Sequence, residues 1–343
     1  MAELRFENVH KQFRGMERPA VDGCSFAVDD GQFTVLLGPS GCGKTTLMKM
    51  VNRLYDPSSG TIYWDGKDIQ QINATELRRQ IGYVIQQIGL FPHMTVADNV
   101  KVVPKLLGWK QSRMDERADE LLAQVDLPPD QYRDRYPAQL SGGQQQRVGV
   151  ARALAGDPDL ILMDEPFGAV DAITRTTLQD EMLRLQDQLQ KTILFVTHDV
   201  DEALRLADRI VIMRAGKVVQ YDTPIEILTN PTDEFVRELI GADDMVRQLG
   251  LMRVESVMQS LPGNYRRNGH PTIGAEQSLR DALSIFLRTD TDALLVLDNE
   301  QPAGLVTLQD IRVSTDNGNG NGKPAAEAPQ YEAAPVAAES RGR

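Results

Sequence analysis

The sequence predicts an α/β protein with a second, smaller unit behind its main domain. Four short runs, Phe33 to Leu37, Leu160 to Met163, Thr192 to Val196 and Arg209 to Met213, are mostly continuous and apolar rather than alternating, as strands buried on both faces of a sheet are. Helical patterns lie between them. The 343-residue length also exceeds the size at which one hydrophobic core usually stops growing.

The helices are legible from their stripes. Leu178, Met182, Leu185 and Leu189 recur at the spacing of one helical face. Met114, Ala118, Leu121, Leu122 and Val125 do the same, and Ser112 with Asp115 reads as a capping box opening that helix. The pattern weakens over residues 242–252, and a fresh unit begins near Val254. From Ser278 to Ile311 it reads helix, strand (Ala293 to Leu297), turn (Asp298 to Gly304), strand, helix. The expected organisation is a main domain over 1–241, a linker over 242–252, a small module over 253–313 and a tail over 314–343. That tail has almost no large apolar side chains, so it cannot offset its ordering entropy and is expected to be disordered.

Composition narrows the function classes. With 41% hydrophobic and 25% charged residues the chain reads as globular rather than fibrous or disordered. No apolar run reaches the length of a membrane-spanning helix and the start lacks a signal-peptide core, so a cytosolic location is expected. Two cysteines, Cys24 and Cys42, make no disulfide framework or zinc cluster. A net charge of −12 opposes broad nucleic-acid binding, and ordinary solubility accounts for it equally well.

Three motifs carry chemistry. Gly38, Pro39, Ser40, Gly41, Cys42, Gly43, Lys44, Thr45 and Thr46 match G-x-x-x-x-G-K-S/T directly after a strand and before a helical run. In that context glycines let backbone N–H groups wrap phosphates, Lys44 reaches the β and γ phosphates, and the Thr45 hydroxyl binds Mg²⁺. Outside it, the match is a Gly-rich turn. The strand from Leu160 ends in Asp164 and Glu165: Asp164 suits Mg²⁺ and Glu165 suits proton abstraction from an attacking water, although a solvated acidic strand end looks the same. Ser141, Gly142, Gly143 and Gln144, after Leu140, open a second Gly-rich helix start, which taken alone is ordinary serine capping. Cys42 at a helix start is open to thiol activation, but apolar surroundings or bound nucleotide would leave it inert.

The run Leu140 to Gln144, LSGGQ, lying between a phosphate loop and an acidic strand end, closely resembles the signature of ATP-binding-cassette (ABC) ATPases. The resemblance covers roughly Leu4 to Gly241. It implies a P-loop NTPase ABC nucleotide-binding domain with a helical subdomain, hydrolysing ATP with Mg²⁺. It also implies roles for residues that are bland singly. Gln86 resembles the Q-loop glutamine that contacts Mg²⁺, with Gln87 as an adjacent competitor. Asp171 resembles the D-loop aspartate and His198 the switch histidine that senses the γ-phosphate. Phe13 lies where the family stacks an aromatic on adenine, though alone it reads as core. In the family two copies join head to tail, each ATP lying between the phosphate loop of one and the signature of the other. ATP thereby acts as an adhesive that hydrolysis removes.

With no membrane segment in the chain, the resemblance implies importer architecture, with separate membrane permease subunits and, indirectly, a substrate-binding protein. The stretches Ile88 to His93, Val102 to Trp109 and Phe167 to Arg175 look like those of ATPases serving quaternary-amine importers (glycine betaine, choline, carnitine). Val170 and Ala172 stand where that group more often has Leu and Pro. Arg253 to Met258 followed by Thr272 to Ile311 resembles a single small α+β CBS module, where such modules usually come in tandem pairs. A lone unit of this size is expected to pack against its twin in a second subunit, either as a sensor of ionic strength or nucleotide or as a dimerisation element alone. An importer for another small solute fits the same motifs. A non-transport ABC ATPase commonly carries two cassettes or coiled-coil insertions, which this chain lacks.

Overall fold

The computed structural model describes residues 3–86, 89–168, 170, 172–242, 244–261, 270–289 and 291–316. They divide into two compact units, one running to Arg253 and including Glu276–Asp281, the other holding the remaining described residues.

In the first unit the strands are β1 (Leu4–Lys11), β2 (Val21–Val28), β3 (Phe33–Leu37), β4 (Ser59–Trp64), β5 (Lys67–Asp68), β6 (Ile81–Val84), β7 (Leu160–Asp164), β8 (Thr192–Thr197), β9 (Arg209–Arg214) and β10 (Lys217–Asp222). The helices are α1 (Lys44–Val51), α2 (Ala74–Gln80), α3 (Val96–Val100), α4 (Val102–Leu106), α5 (Gln111–Gln124), α6 (Pro129–Tyr132), α7 (Gly142–Leu154), α8 (Ala172–Leu189), α9 (Val200–Leu206), α10 (Pro224–Thr229), α11 (Glu234–Ile240) and α12 (Met245–Leu251). The four apolar runs of the sequence are β3, β7, β8 and β9, and they lie within a six-stranded sheet of order β10-β9-β3-β8-β7-β6. That sheet is parallel except for β10, which pairs antiparallel with β9.

Their continuity has a simple cause. Side chains alternate faces along a strand, and both faces are covered. Val35, Leu37, Ile161, Met163, Ile193 and Phe195 enter one core with α5, α7 and α8. Leu36, Leu160, Leu162, Leu194 and Val196 enter the other, with α1 and the antiparallel sheet of order β2-β1-β4-β5. Each such side chain contributes about 1.5–3 kcal/mol by leaving water.

The helix stripes are buried as their spacing requires: Leu178, Met182 and Leu185 on α8, and Met114, Ala118, Leu121 and Leu122 on α5. The expected capping box at Ser112 is not formed. Helix α5 begins two residues earlier in effect, with Lys110 as an extended N-cap that supplies no side-chain bond. The reason is a tertiary competitor: Lys101 Nζ lies 3.0 Å from Asp115 Oδ1 and Gln111 Nε2 donates to Oδ2 at 2.9 Å, so Asp115 is engaged away from the helix start. Helix α12, within 242–252, is capped by the Asp244 side chain and packs on α10 with Leu249 buried.

The second unit holds β11 (Gln259–Ser260), β12 (Thr272–Gly274), β13 (Ala293–Asp298) and β14 (Gln301–Thr307), in the order β11-β14-β13-β12, with α13 (Leu279–Thr289) from Ala282 onward and α14 (Leu308–Asp316). The expected turn from Asp298 to Gly304 is shorter than the sequence suggests. Asp298 pairs with Gln301, so the reversal is made by Asn299 (φ 46°) and Glu300 (φ 64°) alone, the two positive φ values that a tight hairpin requires. The tail beyond Asp316 lies outside the described residues.

Candidate functional site

The strand order brings the C-terminal ends of β3, β8, β7 and β6 side by side, and ligands of such sheets bind just beyond those ends. Each end carries one of the singled-out motifs. The phosphate loop follows β3, His198 follows β8, Asp164 and Glu165 close β7, and Gln86 follows β6.

The loop after β3 is held in a shape that only glycine permits. Gly38 and Gly43 have φ of 153° and 114°, and a Cβ on either would lie 2.3 Å from a backbone oxygen, of Met213 and of Ala20 respectively. Pro39, Ser40 and Gly41 form its exposed crown, whereas Cys42 and Lys44 are buried and Thr45 and Thr46 half-buried. Helix α1 starts with no side-chain cap, so its first N–H groups remain available to an anion. Lys44 Nζ donates to the carbonyls of Gly38 (2.6 Å) and Pro39 (3.2 Å), curling the ammonium into the loop.

Beneath the loop, the Thr45 hydroxyl donates to Asp164 Oδ1 at 2.9 Å across the gap between α1 and β7. Burial holds the Asp164 carboxyl above its usual range, opposed by the Thr45 hydrogen bond and the charge of Lys49. A hydroxyl and a carboxylate at this separation are the hard oxygen donors that Mg²⁺ takes in small number beside phosphate. The donor set, together with the glycine cradle, therefore fits Mg²⁺ and a nucleotide.

Glu165 turns the chain sharply, with φ 46°. A non-glycine residue in that region carries about 1–3 kcal/mol of strain, a feature that clusters at active sites. Its N–H donates to Val196 O (2.9 Å) and its own carbonyl accepts from Gly168 N–H (3.1 Å). The carboxylate is flanked on both sides: Gln86 Nε2 donates to Oε2 at 3.0 Å, and His198 Nδ1 lies 3.3 Å from Oε1. Three residues up to 112 positions apart by their numbers, 198 less 86, thus meet at one carboxylate.

Phe13 is half-buried and edge-on to Tyr55, with centroids 5.2 Å apart, and Lys11 Nζ lies over both rings. Ala20 N–H donates to Lys11 O (2.8 Å) while Ala20 O abuts Gly43, so this aromatic turn borders the phosphate loop. Lys11 and Tyr55 escape a sequence reading because nothing local marks them. The signature opens α7 with a reciprocal capping box: Ser141 Oγ accepts from Gln144 N–H (3.3 Å) and Gln144 Oε1 accepts from Ser141 N–H (3.0 Å). Ser141 and Gly142 are exposed, and a Cβ at Gly142 would meet nothing within 4 Å. Gln87 and Asp171 lie outside the described residues. Another residue missed by sequence is Asn99, fully buried, whose amide binds the backbone of Phe91, Met94 and Thr95 and fixes the segment between them. Cys42 is buried and its thiol pKa is raised by burial despite Lys44 nearby, which makes it inert rather than activated.

Known protein families match both parts of the chain. The ABC transporter family matches residues 21–168 and the CBS domain family residues 263–314. The choline transport ATP-binding protein OpuBA of Bacillus subtilis is 52% identical over 300 residues, spanning 87% of this chain and 76% of that protein. The osmoprotectant import ATP-binding protein OsmV of Salmonella typhimurium is 46% identical over 315 residues, 90% of this chain and 80% of its own. Among solved structures, the dimeric post-hydrolysis state of the ATP-binding cassette MJ0796 bound to ADP and Pi covers 64% of this chain and 98% of its own, at 32% identity and a TM-score of 0.58. No helix among the described residues is long and apolar enough to cross a membrane. With relatives this similar over most of both sequences, the chain belongs to the ATP-binding, ATP-hydrolysing subunits of ABC transporters and carries a CBS domain after its cassette.

Proposed function

We propose that the chain powers import of a quaternary-amine osmoprotectant, of glycine betaine, choline or carnitine type, through separate membrane permease subunits that it joins at the cytoplasmic face. The substrate class is supported by the relatives named above and by the resemblance around Gln86 and Phe167 to Arg175. A substrate-binding protein takes part indirectly, and nucleic acid does not. In this reading the cassette spans 1–241, a connecting segment 242–252 carries α12, a single CBS module spans 253–313 and a tail 314–343 begins with the last residues of α14.

The observation that carries the chemistry is the Glu165 carboxylate, flanked by Gln86 and His198 and one residue from the Asp164–Thr45 pair. In this reading Gly38 to Thr46 wrap the phosphates and Phe13 stacks on the base. Lys44 leaves its carbonyl partners for the β and γ phosphates. Thr45 and Asp164, with Gln86 beside them, would hold Mg²⁺, which when bound would supply neutralisation of phosphate charge. Glu165 accepts the proton of the attacking water, which Gln86 and His198 orient. A second copy closes the site with Ser141, Gly142, Gly143, Gln144 and Asp171, and hydrolysis releases it.

Glu165→Gln keeps the side chain's shape and removes the base, so ATP turnover falls roughly 10²-fold or more. In cells, uptake of labelled glycine betaine at high osmolarity is lost with it. Unchanged turnover in the purified variant rules out Glu165 as the base. Turnover lost with betaine uptake intact moves the substrate to another solute.

A further inference from the structure

The turn leaving Glu165 and the strand end bearing His198 are joined by one side chain. Arg175, in the first turns of α8, donates through Nη2 to Val170 O at 3.2 Å and places Nη1 3.2 Å from Asp199 Oδ2. Val170 closes the turn that Glu165 opens, through Val170 N–H to Phe167 O (3.2 Å) and Gly168 N–H to Glu165 O (3.1 Å). Asp199 immediately follows His198 and caps α9 with its other oxygen, which accepts from Asp201 N–H at 2.9 Å and Glu202 N–H at 3.2 Å.

The anchor behind this bridge is buried. Glu202, 5% exposed, accepts from the Thr197 hydroxyl at 2.7 Å and lies 3.8 Å from Arg175 Nε. Thr197 Oγ1 in turn accepts from Asp199 N–H at 3.0 Å. The guanidinium thus donates to two acceptors in fixed directions, one on the Glu165 side and one on the His198 side, with the Glu202 carboxylate beside its Nε as an ionic neighbour. A planar fork can do this and a lysine ammonium cannot.

We propose that Arg175 is a positioning residue for ATP hydrolysis, setting the distance between His198 and Glu165 by tying the Val170 carbonyl to Asp199. The proposal rests on the reading of Glu165 and His198 as hydrolytic residues. Arg175 touches neither the phosphate loop nor Phe13 through any bond described here, so its loss acts on turnover rather than on nucleotide binding. Displacing reacting groups by a fraction of an ångström to an ångström costs up to about 10²-fold.

The test uses the full chain with Arg175→Lys, which keeps a cation beside Glu202, and Asp199→Asn, which keeps an N-cap acceptor. Both are expected to lower kcat for ATP roughly ten- to a hundredfold, with KM for ATP and the melting temperature nearly unchanged. Combined with His198→Ala and followed by single-turnover hydrolysis, Arg175→Lys should add nothing further, because it acts through His198. Losses that multiply in the double variant overturn the proposal, as does unchanged kcat in Arg175→Lys or a rise in KM at constant kcat. A Glu165→Gln protein that still turns over ATP normally is a different outcome, which removes the underlying reading of the site.

Discussion

Replacing Gly43 by alanine separates backbone strain from loss of space within one loop. At φ 114° the new Cβ would lie 2.3 Å from Ala20 O and 3.5 Å from Met213 Cε. The oxygen cannot drift aside cheaply, because the Ala20 backbone is held by its own N–H bond to Lys11 O at 2.8 Å. The strained φ costs about 1–3 kcal/mol and the forced displacement about another 1–3, together roughly 2–6 kcal/mol. That is a large share of the 5–15 kcal/mol or so by which a domain is stable. Gly41, two residues away, is the control: its φ is 78° but a Cβ there meets nothing within 4 Å, so Gly41→Ala costs only about 1–2 kcal/mol. The sequence has two tryptophans, Trp64 and Trp109, both in the first unit. Denaturant unfolding followed by tryptophan fluorescence therefore reads that unit. Gly43→Ala should unfold at clearly lower denaturant than Gly41→Ala and bind ATP at least tenfold more weakly, since its relief moves the loop. Equal midpoints for the two variants would refute the steric reasoning.

Two further outcomes follow from burial. Cys24, pushed up to about 11 by desolvation, and Cys42, raised for the same reason, should both resist a thiol-specific reagent at neutral pH in the native protein and react once it is unfolded; fast native labelling of either would contradict their buried placement. Burial also raises the Glu202 carboxyl, opposed by Thr197, Arg175 and His198, so the folded protein holds that proton more tightly than the unfolded chain. Stability then declines as pH rises from the ordinary glutamate range through the raised folded value. Glu202→Gln cannot ionise and should gain on the wild type across that window in a pH series of unfolding midpoints; parallel curves would show that Glu202 does not carry the dependence.

What the sequence revealed and what it hid divide along a physical line. Signals set by neighbours in the chain were legible: the doubly buried strands, the glycines of the phosphate loop, the acidic end of β7 and the stripes of α5 and α8. Features decided by distant partners were not. The start of α5 depends on Lys101 drawing Asp115 away, fourteen positions along by subtraction. The hairpin at Asn299 and Glu300 uses a glutamate at positive φ, where local preference favours glycine or asparagine. Glu165 stood out as an acid after a strand, but its contacts with Gln86 and His198 exist only because β6, β7 and β8 are adjacent. Lys11, Tyr55 and Asn99 had no local mark at all.

The signature end of α7 shows how a capped helix can still receive an anion. The Ser141 hydroxyl accepts from Gln144 N–H, and the Gln144 amide is spent on Ser141 N–H and on Tyr132, whose hydroxyl it reaches at 3.2 Å. A hydroxyl that accepts one hydrogen bond keeps its own proton to donate. Ser141 is exposed and nothing crowds Gly142, so an oxygen of an incoming phosphate can take that proton while the cap stays intact. The uncapped start of α1 and the capped start of α7 therefore suit different tasks. The first can surround a phosphate with its own backbone N–H groups. The second can add a donor from outside without first breaking its own bonds, so its engagement and release require no refolding of the helix end.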